Sequence, residues 1–374
     1  MKIAIVHDQL QEFGGAERVI VALKKIYPDA DVYTSFYNPE ALGVHRHAFE
    51  GWNIKSSWAD TVPLLKKLYS PLRCITPLIW ESLNLSSYDL VISSSGSYMS
   101  KGVITRPETL HVCYLHHPPR YLYNYETAIE WQKYWLILVY GNIINHDLRK
   151  WDYLSSQRVD YFIANSHETA SRIQKFYRRE SEVIYPPVSI PNKTNHYPLT
   201  TKHYYLTISR LARAKHIDLL VHAANHHGFQ LKIVGIGRDE KYLRSIAGST
   251  VELLGSVSDR ELNELYDGAR AFLFASVDEE FGIAPVEAMG YGVPVIAYAS
   301  GGLKETVQDG VNGFLYQNLQ KESLIEKVKM LEAMNNNEYE KLSKQTRKSA
   351  EKYSEKRFAE QIKKFISSKL QTNI

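Results

Sequence analysis

Short apolar runs alternate with amphipathic segments along most of the chain. Residues 2–6, KIAIV, are typical of a buried strand, and a polar loop, two glycines and an amphipathic helix that ends before Pro28 follow them. The apolar runs at 30–36, 88–95 and 111–117 predict further strands, and the last two of these runs end in polar residues. A strand, a glycine-rich loop, a helix and a second strand in this order begin a doubly wound α/β domain with a parallel sheet. In such a sheet, ligands bind beyond the carboxyl ends of the strands.

The middle of the chain contains a predicted linker, after which the same pattern restarts. A helical pattern over 127–158 and a strand at 159–166 precede a proline-rich, polar segment at 182–198. This composition is typical of a linker. Strands and helices alternate again from YYLTISRL at 204–211 until a charge-rich, helical segment at 319–374.

We therefore predict an α/β protein with two doubly wound, Rossmann-like domains. The first domain spans residues 1–190 and the second 191–350, and we expect a C-terminal helix at 351–374 to pack back on the first domain. One helix of the second domain starts with a capping box, in which Ser258 is the N-cap and Glu261 follows three residues later. A cleft between two such domains is a favoured place for a ligand.

Composition narrows the class of protein. The 374 residues suit two domains of ordinary size, and 44% hydrophobic with 23% charged residues is typical of a soluble globular protein. A net charge of +4 gives no reason to expect a nucleic-acid partner. Cys74 and Cys113 make neither a disulfide framework nor a zinc-binding spacing, so we expect no metal site. The start lacks a signal-peptide pattern and the longest apolar stretch, 134–144, is too short to span a bilayer, which favours a cytoplasmic protein with membrane contact only at its surface.

The glycine loop FGGAERV at 13–19 is the first candidate site. Gly14 and Gly15 follow the first strand and open a helix. Glycines there allow backbone N–H groups to approach a phosphate or a hydroxyl, and the helix dipole favours negative charge. A simple tight turn explains the two glycines equally well.

A histidine and two groups of strand-end residues are further candidates. His116 lies in YLHHPPRYLY, where it can bind a sugar hydroxyl or transfer a proton, or can simply cap its own loop; the neighbouring prolines and arginine favour a functional role. Arg210 and Lys215 in SRLARAK suit a phosphate, although they can also be a solvated charge cluster. Gly235 and Gly237 allow close approach of a base or ribose, or satisfy a loop that needs positive φ.

In the stretch EEFGIAPVEAMGYGVPV at 279–295, the acids Glu279 and Glu287 have seven residues between them. Glu279 is expected in the loop before a short helix and Glu287 in the first turns of that helix. The backbone N–H groups of the helix start, around Phe281, Gly282 and Ile283, can donate to a sugar hydroxyl that in turn donates to Glu279. A ribose diol can donate to Glu287. Alternatively, each acid stabilises the helix N-terminus by roughly 0.3–1 kcal/mol.

Together these segments resemble the retaining glycosyltransferases of family 4, which have the two-domain GT-B fold. The acid pair resembles the E-x7-E signature of that family, GGAER its N-terminal glycine loop, and SRLARAK its GRLxxxKG segment, in which Ser209 and His216 stand in place of glycines. The segments around YLHHPPRYLYNYE resemble a subgroup that includes O-antigen mannosyltransferases.

The resemblance implies a role for each matching residue. Arg210 and Lys215 would hold the donor diphosphate. Glu287 would bind the ribose of the nucleotide. Glu279 would hold the transferred sugar together with the N–H groups of the following turn, and His116 would contact the same sugar. The first domain would bind the acceptor and the second the nucleotide sugar, with Gly14 and Gly15 near both and Gly235 and Gly237 near the nucleotide.

The resemblance also implies a reaction without a metal or a further cofactor, in which the departing phosphate deprotonates the acceptor on the same face of the sugar. Mannose from GDP-mannose is the favoured donor, and the expected process is cell-surface polysaccharide synthesis. A UDP- or dTDP-sugar donor, a GT-B-like epimerase or phosphorylase, and a non-catalytic module that binds nucleotide sugars are the alternatives.

The acceptor is expected to be a saccharide, which a polyprenyl lipid can carry. The segment 58–80 mixes aromatic residues and leucines with Lys66, Lys67 and Arg73, a composition that can rest on an anionic bilayer. The same segment can equally be a helix that packs its apolar face on the core.

Overall fold

The computed structural model describes residues 1–127, 135–191 and 203–372, and these residues form two compact units. The first unit comprises residues 1–125, 135–187 and 355–372, and the second comprises 126–127, 188–191 and 203–354. The first unit is therefore discontinuous in sequence. The predicted helix residues 128–134, the predicted linker residues 192–198 and the last two residues of the chain lie outside the described residues.

The described part of the first unit contains a parallel sheet of seven strands in the order β3-β2-β1-β4-β5-β6-β7. The strands are β1 Ile3–His7, β2 Asp31–Thr34, β3 Ile54–Ser56, β4 Leu90–Ser95, β5 Leu110–Leu115, β6 Tyr161–Ala164 and β7 Ser181–Val183. The α-helices of this unit are α1 Gly15–Ile26, α2 Pro63–Lys67, α3 Thr76–Glu81, α4 Trp135–Ser156, α5 His167–Tyr177 and, from the end of the chain, α13 Glu355–Thr372.

Helices cover both faces of this first sheet. Every residue of β4 and β5 is buried, as expected for central strands of a sheet that is covered on both sides. Helix α1 packs Ile20 and Leu23 into a core that also contains Phe358 and Ile362 of α13. The C-terminal helix thus completes the hydrophobic core of the first unit.

The described part of the second unit contains a parallel sheet of six strands in the order β10-β9-β8-β11-β12-β13. The strands are β8 Tyr204–Ile208, β9 Gln230–Val234, β10 Val251–Gly255, β11 Ala269–Phe274, β12 Val295–Tyr298 and β13 Gly313–Tyr316. The helices are α6 Ile217–His227, α7 Glu240–Ile246, α8 Asp259–Gly268, α9 Ile283–Gly290, α10 Leu303–Thr306, α11 Lys321–Glu332 and α12 Asn336–Ala350. The capping box predicted at the start of α8 is present, because the Ser258 hydroxyl accepts from the Glu261 N–H at 3.3 Å while the Glu261 carboxylate accepts from the Ser258 N–H at 2.8 Å.

Three strands lie where the pattern predicted none, and each is at an edge of its sheet. β3 and β7 have three residues each and β13 has four. A strand this short carries too few alternating positions to stand out from a loop. Because β7 begins at Ser181, the segment interpreted as a linker from residue 182 starts inside a strand.

The segment 58–80 folds into short helical pieces, one of which packs on the core as one of the two expectations for it had it, while contact with a bilayer stays a prediction. Ile79 and Trp80 of α3 are fully buried in the core, whereas Trp58, Leu64 and Leu78 are 44%, 62% and 61% exposed. None of the helices described between residues 1 and 372 is both long and apolar enough to cross a bilayer.

Candidate active site

In each of the two sheets, some of the candidate residues follow the strands between which the strand order reverses: Gly14 and Gly15 follow β1, Arg210 and Lys215 follow β8, and Glu279 follows β11. The first sheet reverses between β1 and β4, and the second between β8 and β11. At such a switch point the helices that follow the two neighbouring strands lie on opposite faces, which opens a crevice at the carboxyl ends. Both sheets therefore have the geometry of a ligand-binding edge.

In the second unit, Lys215 and Glu279 form an ion pair at this edge. Lys215 ends a 3-10 helix, Arg213–Lys215, in the loop after β8, and Glu279 lies in the loop after β11. The distance from Lys215 Nζ to Glu279 Oε2 is 2.5 Å, and the Ser276 hydroxyl donates to the same oxygen at 2.7 Å. The lysine side chain is 23% exposed and the glutamate side chain 16% exposed, so solvent screens this pair only in part. The sequence prediction brought these residues together but missed Ser276.

Arg210 lies in the same loop, and two glycines of the loop after β9 pack against the backbone on either side of it. Arg210 is exposed. Gly235 has a φ of 132°, and a Cβ atom there would lie 1.9 Å from the carbonyl oxygen of Ser209. A Cβ atom on Gly237 would lie 2.1 Å from the carbonyl oxygen of Leu211. Both glycines thus let the Arg210 loop lie directly against their own, which favours the structural explanation for them; a contact with the nucleotide stays a prediction.

His216 stands where the family motif has a glycine, and its backbone explains that preference. It has a φ of 47° and a ψ of 41°, in the left-handed region, and it is the N-cap of α6. A residue with a Cβ atom costs about 1–2 kcal/mol in this conformation, which glycine adopts freely. His216 thus adopts a backbone conformation that a glycine at this position of the motif would adopt without strain.

The acid pair lies on either side of the start of α9. Gly282, the N-cap of α9, has a φ of 84°, so the chain turns sharply between Glu279 and the helix. The carbonyl oxygen of Glu279 accepts from the Gly302 N–H at 2.7 Å, which fixes the loop. The first N–H groups of a helix, here beginning at Ile283, have no partner within the helix, so this turn can bind an anion or a hydroxyl. The Phe281 ring is buried against Tyr353, with the ring centroids 5.2 Å apart.

Glu287 is in the second turn of α9 and is only 7% exposed. The Tyr266 hydroxyl donates to its Oε2 atom at 3.2 Å, and the Tyr291 ring stacks on Tyr266 with the centroids 5.0 Å apart. Burial, followed by the nearby charges of Asp267 and Glu287, raises the pKa of Tyr291 to about 12. The sequence prediction found Glu287 but not Tyr266, which donates a hydrogen bond to it.

In the first unit, His116 follows β5 and binds a neighbouring strand. Its Nε2 atom lies 2.8 Å from the hydroxyl of Ser94, which is on β4. The His116 backbone is held by its own N–H, which donates to Ser95 O at 2.8 Å, and by the Thr169 hydroxyl, which lies 3.2 Å from its carbonyl. The neighbouring His117 contacts its own loop, because its Nδ1 atom is 2.9 Å from the carbonyl oxygen of Pro118.

The glycine loop places Gly14 as the N-cap of α1 and Gly15 as its first residue. Gly14 has an extended backbone with a φ of −144°, so no left-handed conformation requires glycine there. Its N–H donates to Glu17 Oε2 at 2.8 Å. The nearest atom to a Cβ added at Gly14 would be that same oxygen, at 3.4 Å. The N–H group of Gly14 is thus engaged by a carboxylate, and whether the loop binds a donor stays a prediction.

Several buried polar residues of this edge were missed by the sequence prediction. The carboxylate of Asp8 accepts from the backbone N–H groups of Gly96, Tyr98 and Ser100 at 2.7–2.9 Å. His7, at the end of β1, contacts both Glu17 and Ser94. The signal was a run of polar residues at the end of each apolar strand, but only strand order tells which of these ends meet.

Two family models match the chain, one for each half. Residues 13–191 match glycosyltransferase family 4, and residues 190–349 match the glycosyl transferases group 1. These matches are consistent with the motifs of both halves.

Curated relatives are similar over a large part of the chain. This chain is 27% identical over 267 residues to the GtfA subunit of a UDP-N-acetylglucosamine–peptide N-acetylglucosaminyltransferase from Streptococcus pneumoniae. The aligned region covers 67% of this chain and 50% of the relative. The chain is 26% identical over 379 residues to the alpha-1,3/1,6-mannosyltransferase alg2 of Schizosaccharomyces pombe, covering 84% of this chain and 70% of the relative. The chain thus spans about half the length of the first of these relatives.

Among solved structures, Anabaena HepE in complex with UDP and glucose has a similar fold. The TM-score is 0.72 at 20% sequence identity, over 98% of this chain and 100% of HepE. This similarity and the two parallel-sheet units identify the GT-B fold. The two matched models together extend from residue 13 to residue 349, and they support a glycosyltransferase of the family-4 type.

Proposed function

We propose that this protein transfers a hexose from a nucleotide diphosphate sugar to a saccharide acceptor. The observation that carries this proposal is the ion pair between Lys215 and Glu279, with 2.5 Å between nitrogen and oxygen, at the switch point of the second sheet. A cation and a carboxylate side by side suit a ligand that has a diphosphate next to a polyhydroxylated ring. The matches to the two glycosyltransferase family models support the same reaction.

Charge development determines what each residue does in the reaction. When the bond between the anomeric carbon and the phosphate oxygen breaks, both electrons leave with the diphosphate and positive charge builds up on the sugar. Lys215 and Arg210 would stabilise the additional negative charge on the diphosphate. Glu279 and the N–H groups at the start of α9 would bind sugar hydroxyls, and Glu287 would accept from the ribose diol.

We propose retention of configuration by substitution on one face of the sugar. An oxygen of the departing phosphate takes the proton of the acceptor hydroxyl, whose oxygen bonds to the anomeric carbon on the face that the phosphate leaves. The products are the glycosylated acceptor and the protonated nucleoside diphosphate. Because Lys215 and Arg210 supply positive charge to the leaving group, we propose that the nucleotide sugar is the only co-substrate and that neither a metal nor a further cofactor takes part.

The proposed donor is GDP-mannose. The resemblance to O-antigen mannosyltransferases and the similarity to the mannosyltransferase alg2 support a mannose donor. A UDP-sugar is the second candidate, because the relative GtfA is named for UDP-N-acetylglucosamine and HepE was solved with UDP and glucose. Thermal unfolding with GDP-, UDP- and dTDP-sugars would distinguish them, since a ligand at 100 times its Kd stabilises the folded protein by about 2.7 kcal/mol.

Two substitutions test the proposed site. Lys215→Ala removes the cation at the leaving group, and we expect it to slow release of nucleoside diphosphate from the true donor by about 10²–10³-fold. Glu279→Gln keeps the size of the acid and should slow the same step. Lys344→Ala is the matched control, because Lys344 is a surface lysine of the same unit, 72% exposed. If Lys215→Ala turned over the donor as fast as Lys344→Ala, the site assignment would be wrong; binding of a donor without turnover in the parent protein would favour a non-catalytic module.

We further propose that the acceptor is a lipid-linked saccharide and that the protein works at the inner face of the cell membrane. The exposed side chains of Trp58, Leu64 and Leu78, together with exposed Lys67, are suited to the surface of an anionic bilayer. Sedimentation with phosphatidylglycerol vesicles tests this proposal. Binding that Leu64→Glu abolishes would support it, and a protein that stays in the supernatant would exclude it.

A further inference from the structure

Four buried side chains of the first unit form one continuous hydrogen-bonded chain that ends at His116. Glu17 Oε1 lies 3.3 Å from His7 Nε2, His7 Nδ1 lies 3.0 Å from Ser94 Oγ, and Ser94 Oγ lies 2.8 Å from His116 Nε2. All four side chains are at least nine-tenths buried, with residue exposures of 6% for Glu17, 1% for His7, 0% for Ser94 and 8% for His116. At its other end the chain is tied to the glycine loop, because Glu17 Oε2 accepts from the Gly14 N–H at 2.8 Å.

The chemistry of the groups gives this chain a direction. An ionised carboxylate can only accept hydrogen bonds, so neutral His7 must carry its proton on Nε2 and donate it to Glu17. The Nδ1 atom of His7 is then an acceptor, and the Ser94 hydroxyl donates to it. With its proton committed to His7, the Ser94 oxygen accepts from His116 Nε2. Neutral His116 is therefore protonated on Nε2 and has a lone pair on Nδ1.

We propose that Glu17, His7 and Ser94 are positioning residues that fix the tautomer of His116, so that its Nδ1 atom accepts a hydrogen bond from a substrate hydroxyl. This inference rests on the proposed function in one respect, namely that the ligand at His116 is a sugar. A hydroxyl group can donate to Nδ1 in this tautomer, whereas a carbonyl or an ionised phosphate oxygen, which only accepts, cannot bind it. We call the hydrogen-bonded series Glu17, His7, Ser94 and His116 the relay. The relay thus selects a neutral, hydroxylated ligand at His116.

The position of each group makes plain packing an inadequate account of the chain. Residues His7 and Ser94 are register partners on adjacent strands, so their side chains emerge side by side at the carboxyl edge of the sheet. A buried glutamate beside a buried histidine would be replaceable by apolar residues if it only filled space. Here the carboxylate both holds the N-cap of α1 and sets the proton position three groups away. The relay therefore couples the glycine loop to His116.

Glu17→Gln provides a sharp test because it keeps the number of non-hydrogen atoms and replaces one acceptor oxygen of the side chain by a donor NH₂ group. The Gly14 N–H requires an acceptor, so the amide oxygen of the variant is held there and the amide NH₂ faces His7 Nε2. His7 must then carry its proton on Nδ1, the Ser94 hydroxyl turns towards His116, and His116 becomes protonated on Nδ1. One substitution thus reverses every hydrogen bond along the relay.

The tautomer of His116 is measured directly by two-bond proton–nitrogen NMR on ligand-free, ¹⁵N-labelled protein. The sample is held at about pH 8.5, about two units above the ordinary pKa of a histidine. We expect the proton on Nε2 in the parent protein and on Nδ1 in Glu17→Gln. Glu50→Gln is the matched control, because Glu50 is a surface acid of the same unit that binds a different histidine, His47, at 2.7 Å.

A second variant keeps the test decisive if Glu17→Gln does not fold. Ser94→Ala cuts the relay, and we expect His116 then to populate both tautomers. A His116 that keeps its proton on Nε2 in either folded variant would overturn the proposal, as would an Nδ1 proton in the parent protein. Because these spectra are recorded without substrate, they are independent of turnover. With the true donor, Glu17→Gln should lower kcat/KM by about 10–100-fold. An unchanged kcat/KM despite a reversed tautomer would refute the role of His116 Nδ1 as an acceptor. A parent protein that turns over no nucleotide sugar would refute the proposed function alone.

Discussion

A fully buried ion pair in the first unit predicts a large effect from a single substitution. Lys101 and Asp152 have side chains that are both 0% exposed. Lys101 Nζ donates to Asp152 Oδ1 at 2.5 Å, to the Asp152 carbonyl at 3.1 Å and to the Ser155 hydroxyl at 3.1 Å, so all three of its protons are used. The hydroxyls of Tyr123 and Tyr177 also donate to Asp152, at 2.6 and 3.2 Å.

Lys101→Met keeps much of the side-chain volume but removes the cation. It leaves the carboxylate of Asp152 buried, with the hydroxyls of Tyr123 and Tyr177 as its remaining donors among the described residues. Removing one partner of a buried pair costs about 3–5 kcal/mol, because the remaining charge is uncompensated. This loss is a large share of the roughly 5–15 kcal/mol that stabilises an ordinary domain. Adding Asp152→Asn removes the stranded charge, so the double variant should be more stable than Lys101→Met alone.

Tryptophan fluorescence in urea is the appropriate assay. All six tryptophans occur between residues 52 and 151, and none occurs in 188–354, so their emission reports on unfolding of the first unit. Lys150→Met is the matched control, since Lys150 pairs with Asp147 on the surface of α4, where side-chain exposures are 60% and 71%. We expect it to cost less than about 1 kcal/mol. A Lys101→Met midpoint no lower than that of Lys150→Met would refute the reasoning.

Three further predictions concern other sites. Gly235→Ala should destabilise the second unit by at least about 1 kcal/mol more than Gly228→Ala, as measured by circular dichroism. Both glycines have positive φ, but of these two only Gly235 would place a Cβ atom in a collision, 1.9 Å from the carbonyl oxygen of Ser209. Equal losses of stability in the two variants would contradict this prediction. Burial, assisted by the charge of Lys101, lowers the pKa of His111 to about 3, so between about pH 6.5 and pH 3 the unfolded chain binds a proton that the folded chain does not. The free energy of unfolding should therefore fall by up to about 1.4 kcal/mol per pH unit below about pH 6.5. Denaturation curves of His111→Gln should show a smaller slope with pH. Glu287→Gln should weaken donor binding in calorimetry by about 10–100-fold, the value of a hydrogen bond to a charged group, and unchanged affinity would exclude a ribose contact.

Much of the fold follows from local patterns in the sequence. The central strands are mostly apolar, and the helices carry signals such as the capping box at Ser258, so the alternation of elements was predictable. The order of strands in each sheet follows from the preference for right-handed crossovers only once the number of strands is known. Three-residue edge strands such as β3 and β7 carry too little pattern to be counted.

The candidate site was predictable where its residues are close in sequence or belong to a motif. Glu279, Lys215 and the turn at Gly282 belong to that class. The partners of His116 do not, because His7 and Ser94 become neighbours only through the parallel pairing of β1 with β4. The positive φ of His216 was also not predictable, because a histidine at a glycine position of the motif does not indicate which backbone conformation it adopts.

The discontinuity of the first unit has a consequence for synthesis on the ribosome. Its hydrophobic core includes Phe358, Ile362, Phe365 and Ile366, which are made only after the whole segment 188–354. At about 5–20 residues per second, the growing chain waits on the order of 10–30 s with the apolar face of α1 uncovered by α13. The second unit, whose sheet is encoded without interruption, can fold during this interval. The amino-terminal part of the protein is therefore the last to complete its native structure, and nascent-chain chaperones have their longest opportunity to bind there.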